Sequence, residues 1–268
     1  MKFTAAAIQL LASDDKDANL RQAEAGVREA ASRGAKVVAL PEVFNWRGDK
    51  TGEKKNAEPV SGRTAELMAK LARELRIYLL AGSFLEDIPE VRKSFNASLF
   101  FGPDGGLLAR YRKIHLFDVA IERGVTALES ETREHGNEVV VADTEFGRMG
   151  LTICYDLRFP ELYRALVDEE AQVIFVPAAF TALTGEAHWE PLLRARAIEN
   201  QVYVIAPDQI GHNPKSFATY GNSMIVDPWG RILARAPDKP AVITAEIDLD
   251  YLAKVRAELP ALAHRKLH

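Results

Sequence analysis

Apolar residues recur along this chain in two rhythms, and their alternation lays out the elements. Residues 1–10 form a short, mostly apolar run that reads as a strand, edge or central. In residues 16–33, Leu20, Ala23, Val27 and Ala31 recur at three- and four-residue spacing. That is the rhythm of a helix with one buried face; Asp14 or Asp15 can cap it and Gly34 can stop it. Residues 36–40 read as a buried strand that ends at Pro41-Glu42. Strand, helix, strand in this order predicts a parallel pair.

Residues 45–58 are polar and irregular. Residues 62–76 carry Leu67, Leu71 and Leu75 four apart and read as a second helix, followed closely by a strand at 77–81. Residues 96–101 and 107–112 flank Gly102-Pro103-Asp104-Gly105-Gly106, a hairpin signal. Residues 118–137 are polar and expected to be loop-rich. Strands at 139–142 and 147–153 form another expected hairpin. Helices are expected at 159–170, with Pro160 suited to its first turn, at 187–200 and at 249–259. Strands are expected at 173–176, 202–206 and 242–247, with a hairpin of 224–226 against 231–234 around Asp227-Pro228-Trp229-Gly230. No Ser/Gly/Pro-rich linker interrupts this alternation, so residues 1–268 read as a single α/β domain. Two stacked mixed sheets with helices outside satisfy the pattern. The hairpins argue against a TIM barrel or a simple doubly wound sheet.

Composition narrows the function classes. The 268 residues are 47% hydrophobic and 27% charged, as in ordinary globular proteins, which excludes disorder and collagen-like structure. A formal net charge of −4 lacks the basic footprint of a nucleic-acid binder. One cysteine excludes an internal disulfide and a multi-cysteine metal cluster. The scattered histidines have no metal-ligand spacing. No apolar stretch approaches the roughly 20 residues that span a bilayer, and the N-terminal apolar run is short for a signal peptide. A cytoplasmic setting with no membrane partner is expected.

The lone thiol is the sharpest chemical signal. Arg148-Met-Gly-Leu-Thr-Ile-Cys154-Tyr-Asp-Leu-Arg-Phe-Pro-Glu reads as strand, abrupt turn, then helix. Cys154 falls at the carboxyl end of a strand, where α/β sheets gather their ligand sites. A nucleophile on such a turn projects from the backbone, and a helix start beside it favours a thiolate. Cysteine is equally a small buried hydrophobe, so position leaves both readings open. Glu42 ends another parallel strand and could converge on Cys154 as a base. Lys113, after the 107–112 strand, could steady an oxyanion. Either could also be an ordinary surface charge.

Leu40-Pro41-Glu42, Tyr111-Arg112-Lys113-Ile114-His115-Leu116 and Ile153-Cys154-Tyr155-Asp156-Leu157-Arg158-Phe159-Pro160-Glu161 resemble the three signature segments of the nitrilase superfamily of carbon–nitrogen hydrolases, in the family's order. The resemblance implies an α-β-β-α sandwich that pairs into a homodimer or larger homo-oligomer. It implies Cys154 as nucleophile, Glu42 as general base, Lys113 as oxyanion-stabilising cation and Glu129, in Leu128-Glu129-Ser130, as a supporting carboxylate. The loop beyond Glu129 departs from the family pattern, with His135-Gly136 where Pro-Gly is usual. Later segments, including Thr184-Gly-Glu-Ala-His188-Trp189-Glu190 and residues 194–201, resemble the amidase branch that contains deaminated glutathione amidase and ω-amidase.

That likeness implies a hydrolase that cleaves a small terminal amide through a cysteine thioester and releases ammonia, with no metal or organic cofactor. The Tyr155 backbone N–H would join the oxyanion site, and Arg158 and His188 are candidate substrate contacts. Asp156 and Arg158 are expected to form a structural ion pair, and His115 to be a hydrogen-bonded structural histidine. The 209–217 loop is a candidate substrate-facing segment. Three alternatives remain open: N-carbamyl amino acid hydrolysis, a weakly active binding or scaffold protein, and redox sensing by Cys154. Redox sensing is weakened by the lack of a resolving cysteine.

Overall fold

The computed structural model describes residues 1–122 and 124–267. Two mixed sheets stack against each other. The first runs in the order Ala241–Asp248, Lys2–Gln9, Val37–Ala39, Tyr78–Leu80, Ser94–Phe101, Phe84–Glu86, with Leu107–Arg112 and Arg133–Glu134 also paired to Ser94–Phe101. The second runs Val141–Thr144, Gly147–Leu151, Val173–Phe175, Tyr203–Ala206, Met224–Val226, Ile232–Arg235. Each sheet has three parallel strands at its centre. Antiparallel strands close both sides.

The period of two in the Lys2–Gln9 strand sorts its side chains between layers. Phe3, Ala5 and Ala7 join Val37, Ala39, Leu80 and Phe100 in the core shared with the second sheet, against Met149, Leu151 and Phe175. Ala6 and Ile8 face the other way, onto Leu20, Ala23 and Val27 of helix Lys16–Ser32 and Met68 and Leu71 of helix Arg63–Leu75. Helices Pro160–Asp168 and Ala182–Asn200 bring Leu162, Leu166, Leu193 and Ala197 to the second sheet. A fully buried Phe or Leu here contributes about 1.5–3 kcal/mol. The α-β-β-α sandwich expected from the sequence is the observed architecture.

The chain's direction sets up the site. The parallel strands Val37–Ala39 and Gly147–Leu151 are followed by Glu42 and Cys154. Leu107–Arg112 is antiparallel to Ser94–Phe101, which is antiparallel to Tyr78–Leu80. It therefore runs in the same sense as the parallel strands and delivers Lys113 to the same rim.

Several local expectations need correction. Residues 118–137 are not loop-rich: Asp118–Ile121 pairs with Val125–Leu128, a short 3₁₀ turn spans Glu129–Glu131, and Arg133–Glu134 joins the first sheet. The alternation is too short and polar to stand out. Phe84–Glu86 is a strand hidden between two stronger ones. The helix expected at 187–200 starts at Ala182, where the Thr181 hydroxyl caps the Thr184 amide. The strand expected at 139–142 lies at Val141–Thr144.

Candidate active site

Glu42 follows a strand that ends at Ala39, and the next residue, Val43, has φ +44°. A β-branched residue rarely adopts this left-handed conformation, so the surroundings must hold it there. The Val43 amide donates to Ser83 Oγ (3.0 Å), and the Gln209 side-chain amide donates to the Glu42 carbonyl (2.6 Å). Gly82 packs so closely behind the turn that a Cβ would meet the Pro41 carbonyl at 2.0 Å. The Glu42 carboxylate is fixed on both oxygens. Oε1 accepts from Lys113 Nζ (2.9 Å) and Asn96 Nδ2 (2.8 Å), and Oε2 accepts from the Ala179 amide (2.9 Å).

Cys154 is the second strained residue, at φ +48°. Its amide donates to the Pro177 carbonyl (2.9 Å), and the chain then turns into the 3₁₀ segment Cys154–Arg158 before helix Pro160–Asp168. This is the strand–turn–helix elbow that projects a nucleophile. The Glu42 carboxylate and the Ala179 amide both stand near enough to the Cys154 thiol to shift its ionisation. Burial, and next the Glu42 charge, push the thiol well above its ordinary pKa, against the opposing pull of Lys113. Burial and Glu42 both oppose the thiolate that a helix start was expected to favour, burial more than the carboxylate.

Lys113 is 2% exposed. Its ammonium lies 2.9 Å from both Glu42 Oε1 and Glu129 Oε2. Burial alone would lower the ammonium pKa, but Glu129 and Glu42 overcome this and hold it above its ordinary value. Glu129 Oε2 also accepts from the Phe117 amide (2.6 Å), and its Oε1 accepts from Asn96 and Arg133. Burial disfavours its charge, yet Lys113 and Arg133 bring its pKa down to about 2. Arg133 continues to Glu53 at 2.6 Å. A chain of alternating charge thus runs Glu53–Arg133–Glu129–Lys113–Glu42, ending at the thiol. Asn96, Arg133 and Glu53 were not singled out in the sequence. A buried asparagine inside the apolar run 95–101 was the available signal for the first.

Asp156 is fully buried and ties the elbow to the lysine segment. Its Oδ2 accepts from Tyr111 O–H (2.7 Å) and the Ile153 amide (2.8 Å). Its Oδ1 accepts from the His115 amide (3.0 Å) and lies 2.8 Å from His115 Nδ1. His115 also stacks on Phe159 with ring centroids 3.6 Å apart, as a hydrogen-bonded structural histidine would. The expected Asp156–Arg158 ion pair is not formed. Arg158 instead lies over the Phe180 ring, 5.1 Å from its centroid, with His188 Nδ1 at 3.2 Å.

These side chains open into a cavity of about 390 Å³. Glu42, Lys113, Glu129 and Cys154 line it together with Tyr155 and Arg158. His188 is exposed outside that lining and touches only its edge through Arg158, so it is not brought into the site. Ser216 and Phe217, at the end of the 209–217 loop, also line the cavity. At His135-Gly136 the Gly136 amide donates to the Lys113 carbonyl (2.8 Å), and a Cβ would meet the Arg112 carbonyl at 2.2 Å. The glycine is kept by a close approach of the backbone, whatever precedes it.

The chain is similar to known proteins along nearly its whole length. The deaminated glutathione amidase of Synechocystis is 44% identical over 98% of each chain. The omega-amidase of Homo sapiens is 40% identical over 98% of this chain and 95% of its own. Among solved structures, the NitFhit protein of C. elegans superposes with a TM-score of 0.92 at 37% identity, covering 99% of this chain, which spans 65% of that one. An amidase from Nesterenkonia, solved with acrylamide added at its active-site cysteine, superposes at 0.79 with 25% identity over 97% and 99% of the two chains. The family model for carbon-nitrogen hydrolases matches residues 4–257, and the chain belongs to that family.

Proposed function

We propose that this protein hydrolyses the terminal amide of a small carboxylic acid, with Cys154 as nucleophile, a reading supported by its similarity to relatives named deaminated glutathione amidase and omega-amidase. The observation that supports this most directly is the junction of Glu42, Lys113 and Glu129 beside a thiol on a strained elbow.

In this reading Glu42 takes the thiol proton as Sγ attacks the amide carbon. An ammonium has three N–H donors, and the two glutamates engage two of those on Lys113. The third is then available to the developing oxyanion, together with the Tyr155 backbone N–H. The carbon–nitrogen bond breaks, Glu42 returns its proton to the leaving nitrogen, and ammonia departs from a thioester. Water adds next, with Glu42 again as base, and the acid leaves as the thiol is restored. Glu129 keeps Lys113 charged and aimed. We further propose that the protein works in the cytoplasm as a homodimer or larger homo-oligomer. Among the described residues no helix is long and apolar enough to cross a membrane. A monomeric solution mass at working concentration would contradict the assembly.

The test is a panel of deaminated glutathione, α-ketoglutaramate and an N-carbamyl amino acid. The two amides should release ammonia. Cys154→Ala should lower that rate on the order of 10⁴-fold. Turnover that survives this substitution, or carbon dioxide release from the carbamyl compound alone, would overturn the assignment.

A further inference from the structure

Most charged groups around the cavity are satisfied within the protein, as the chain from Glu53 to Glu42 shows, and Lys50 pairs with Glu131. Arg47 stands apart. It lines the same cavity and is 5% exposed. Its backbone is pinned at both ends: the amide donates to the Ser13 carbonyl (2.8 Å), and the carbonyl accepts from Asn213 Nδ2 (2.6 Å). The guanidinium lies 4.7 Å from the centroid of the Phe217 ring, and Nη2 donates to the Phe217 carbonyl at 2.7 Å. Among the described residues no carboxylate hydrogen-bonds to it, and Nη1 is buried without a partner.

A buried cation with an orphaned donor is costly unless an anion completes it. Burial pushes the guanidinium down to about 10, which still leaves it charged at neutral pH. The charges of Glu42, Asp208 and Cys154 act on it from a distance, so it belongs to the reacting end of the same cavity, though none of them hydrogen-bonds to it. Among the described residues, Arg158 is the other cation on the wall without a carboxylate. It is half-buried, has its guanidinium over Phe180, and has His188 as a partner. The demand for an anion is therefore greater at Arg47.

We propose that Arg47 is the specificity-determining residue for the distal carboxylate of the substrate, holding it through its guanidinium while the amide lies at Cys154. This rests on the amidase reading above. It takes the substrate class from that reading and names Phe217 as the residue that fixes the guanidinium. The planar guanidinium suits a carboxylate better than a lysine ammonium would.

Calorimetric binding to the Cys154→Ala protein tests this without turnover. Glutaramate, with a carboxylate, and pentanamide, without one, are the probes. Adding Arg47→Met should weaken glutaramate about 30-fold or more relative to pentanamide, and Arg47→Lys should recover part of the loss. In the active enzyme, Arg47→Met should lower the ratio of kcat/KM for glutaramate over pentanamide by a similar factor, mainly through KM. Circular dichroism identifies any variant that has lost the fold, and Arg47→Lys then carries the comparison. An unchanged ratio overturns the proposal, as does loss of discrimination with Arg158→Met but not with Arg47→Met. If the underlying amidase reading is wrong, the unsubstituted enzyme releases no ammonia, whereas the binding difference in the Cys154→Ala protein still reports on Arg47.

Discussion

At Cys154, backbone and side chain are both held away from their resting preferences. A non-glycine residue at φ +48° is sterically costly, and the thiol is buried beside a carboxylate that resists its ionisation. Attack on substrate therefore has to be coupled to proton transfer onto Glu42. Replacing Glu42 by Gln separates the two effects. The thiol pKa should fall, because burial remains but the repelling charge is gone, and this can be followed by the ultraviolet absorbance of the thiolate. Amide turnover should nonetheless fall about 10³-fold or more, because the base is lost. A thiol pKa that rises in this variant would show that Glu42 does not face the sulfur.

At the scale of elements, the site is assembled by turns that follow strands of one sense, and Asp156 binds two of those turns together. Asp156→Ala would leave the Tyr111 hydroxyl and the Ile153 amide without their buried acceptor. It should cost about 3 kcal/mol or more of stability in urea unfolding. Asp156→Asn should cost less, because the shape and one acceptor oxygen remain. Much of this level was legible in the sequence. The helical rhythm of residues 16–33 and the hairpin signal at 102–106 located their elements because one periodicity dominated each. Glu42, Lys113 and Cys154 each lie just past a recognisable strand, but position left their roles open, and it was the resemblance to the nitrilase signature segments that picked them out. Asn96, Arg133 and Glu53 were not picked out, because their importance comes from side-chain pairing across elements, which leaves no periodic trace. The Asp156–Arg158 pairing was misjudged for a related reason. Residues close in sequence look like partners, but the turn carries Asp156 inward to Tyr111 and His115 and Arg158 outward to Phe180 and His188.

Across the whole molecule, the two stacked sheets make one rim from two sets of strand ends, and a buried chain of charges fills the space between them. Glu129 carries part of that chain as a carboxylate held near 2, against an ordinary value of 4.5. Its contribution to stability is fully present above about 4.5 and is lost as pH falls toward 2. Unfolding free energy measured across that window should drop more steeply in the natural protein than in Glu129→Gln, which should be less stable at neutral pH. Parallel slopes would show that Glu129 is not held ionised by Lys113 and Arg133.

The central claim is that acyl groups pass through the sulfur of Cys154. The most direct measurement is the intact mass of the protein quenched in acid during turnover of α-ketoglutaramate, followed by peptide mapping. The account predicts a fraction of the chains heavier by the acyl group, with the added mass on the peptide that contains Cys154 and absent from Cys154→Ser. Ammonia release at the natural rate from Cys154→Ser, or an adduct confined to another residue, would contradict it.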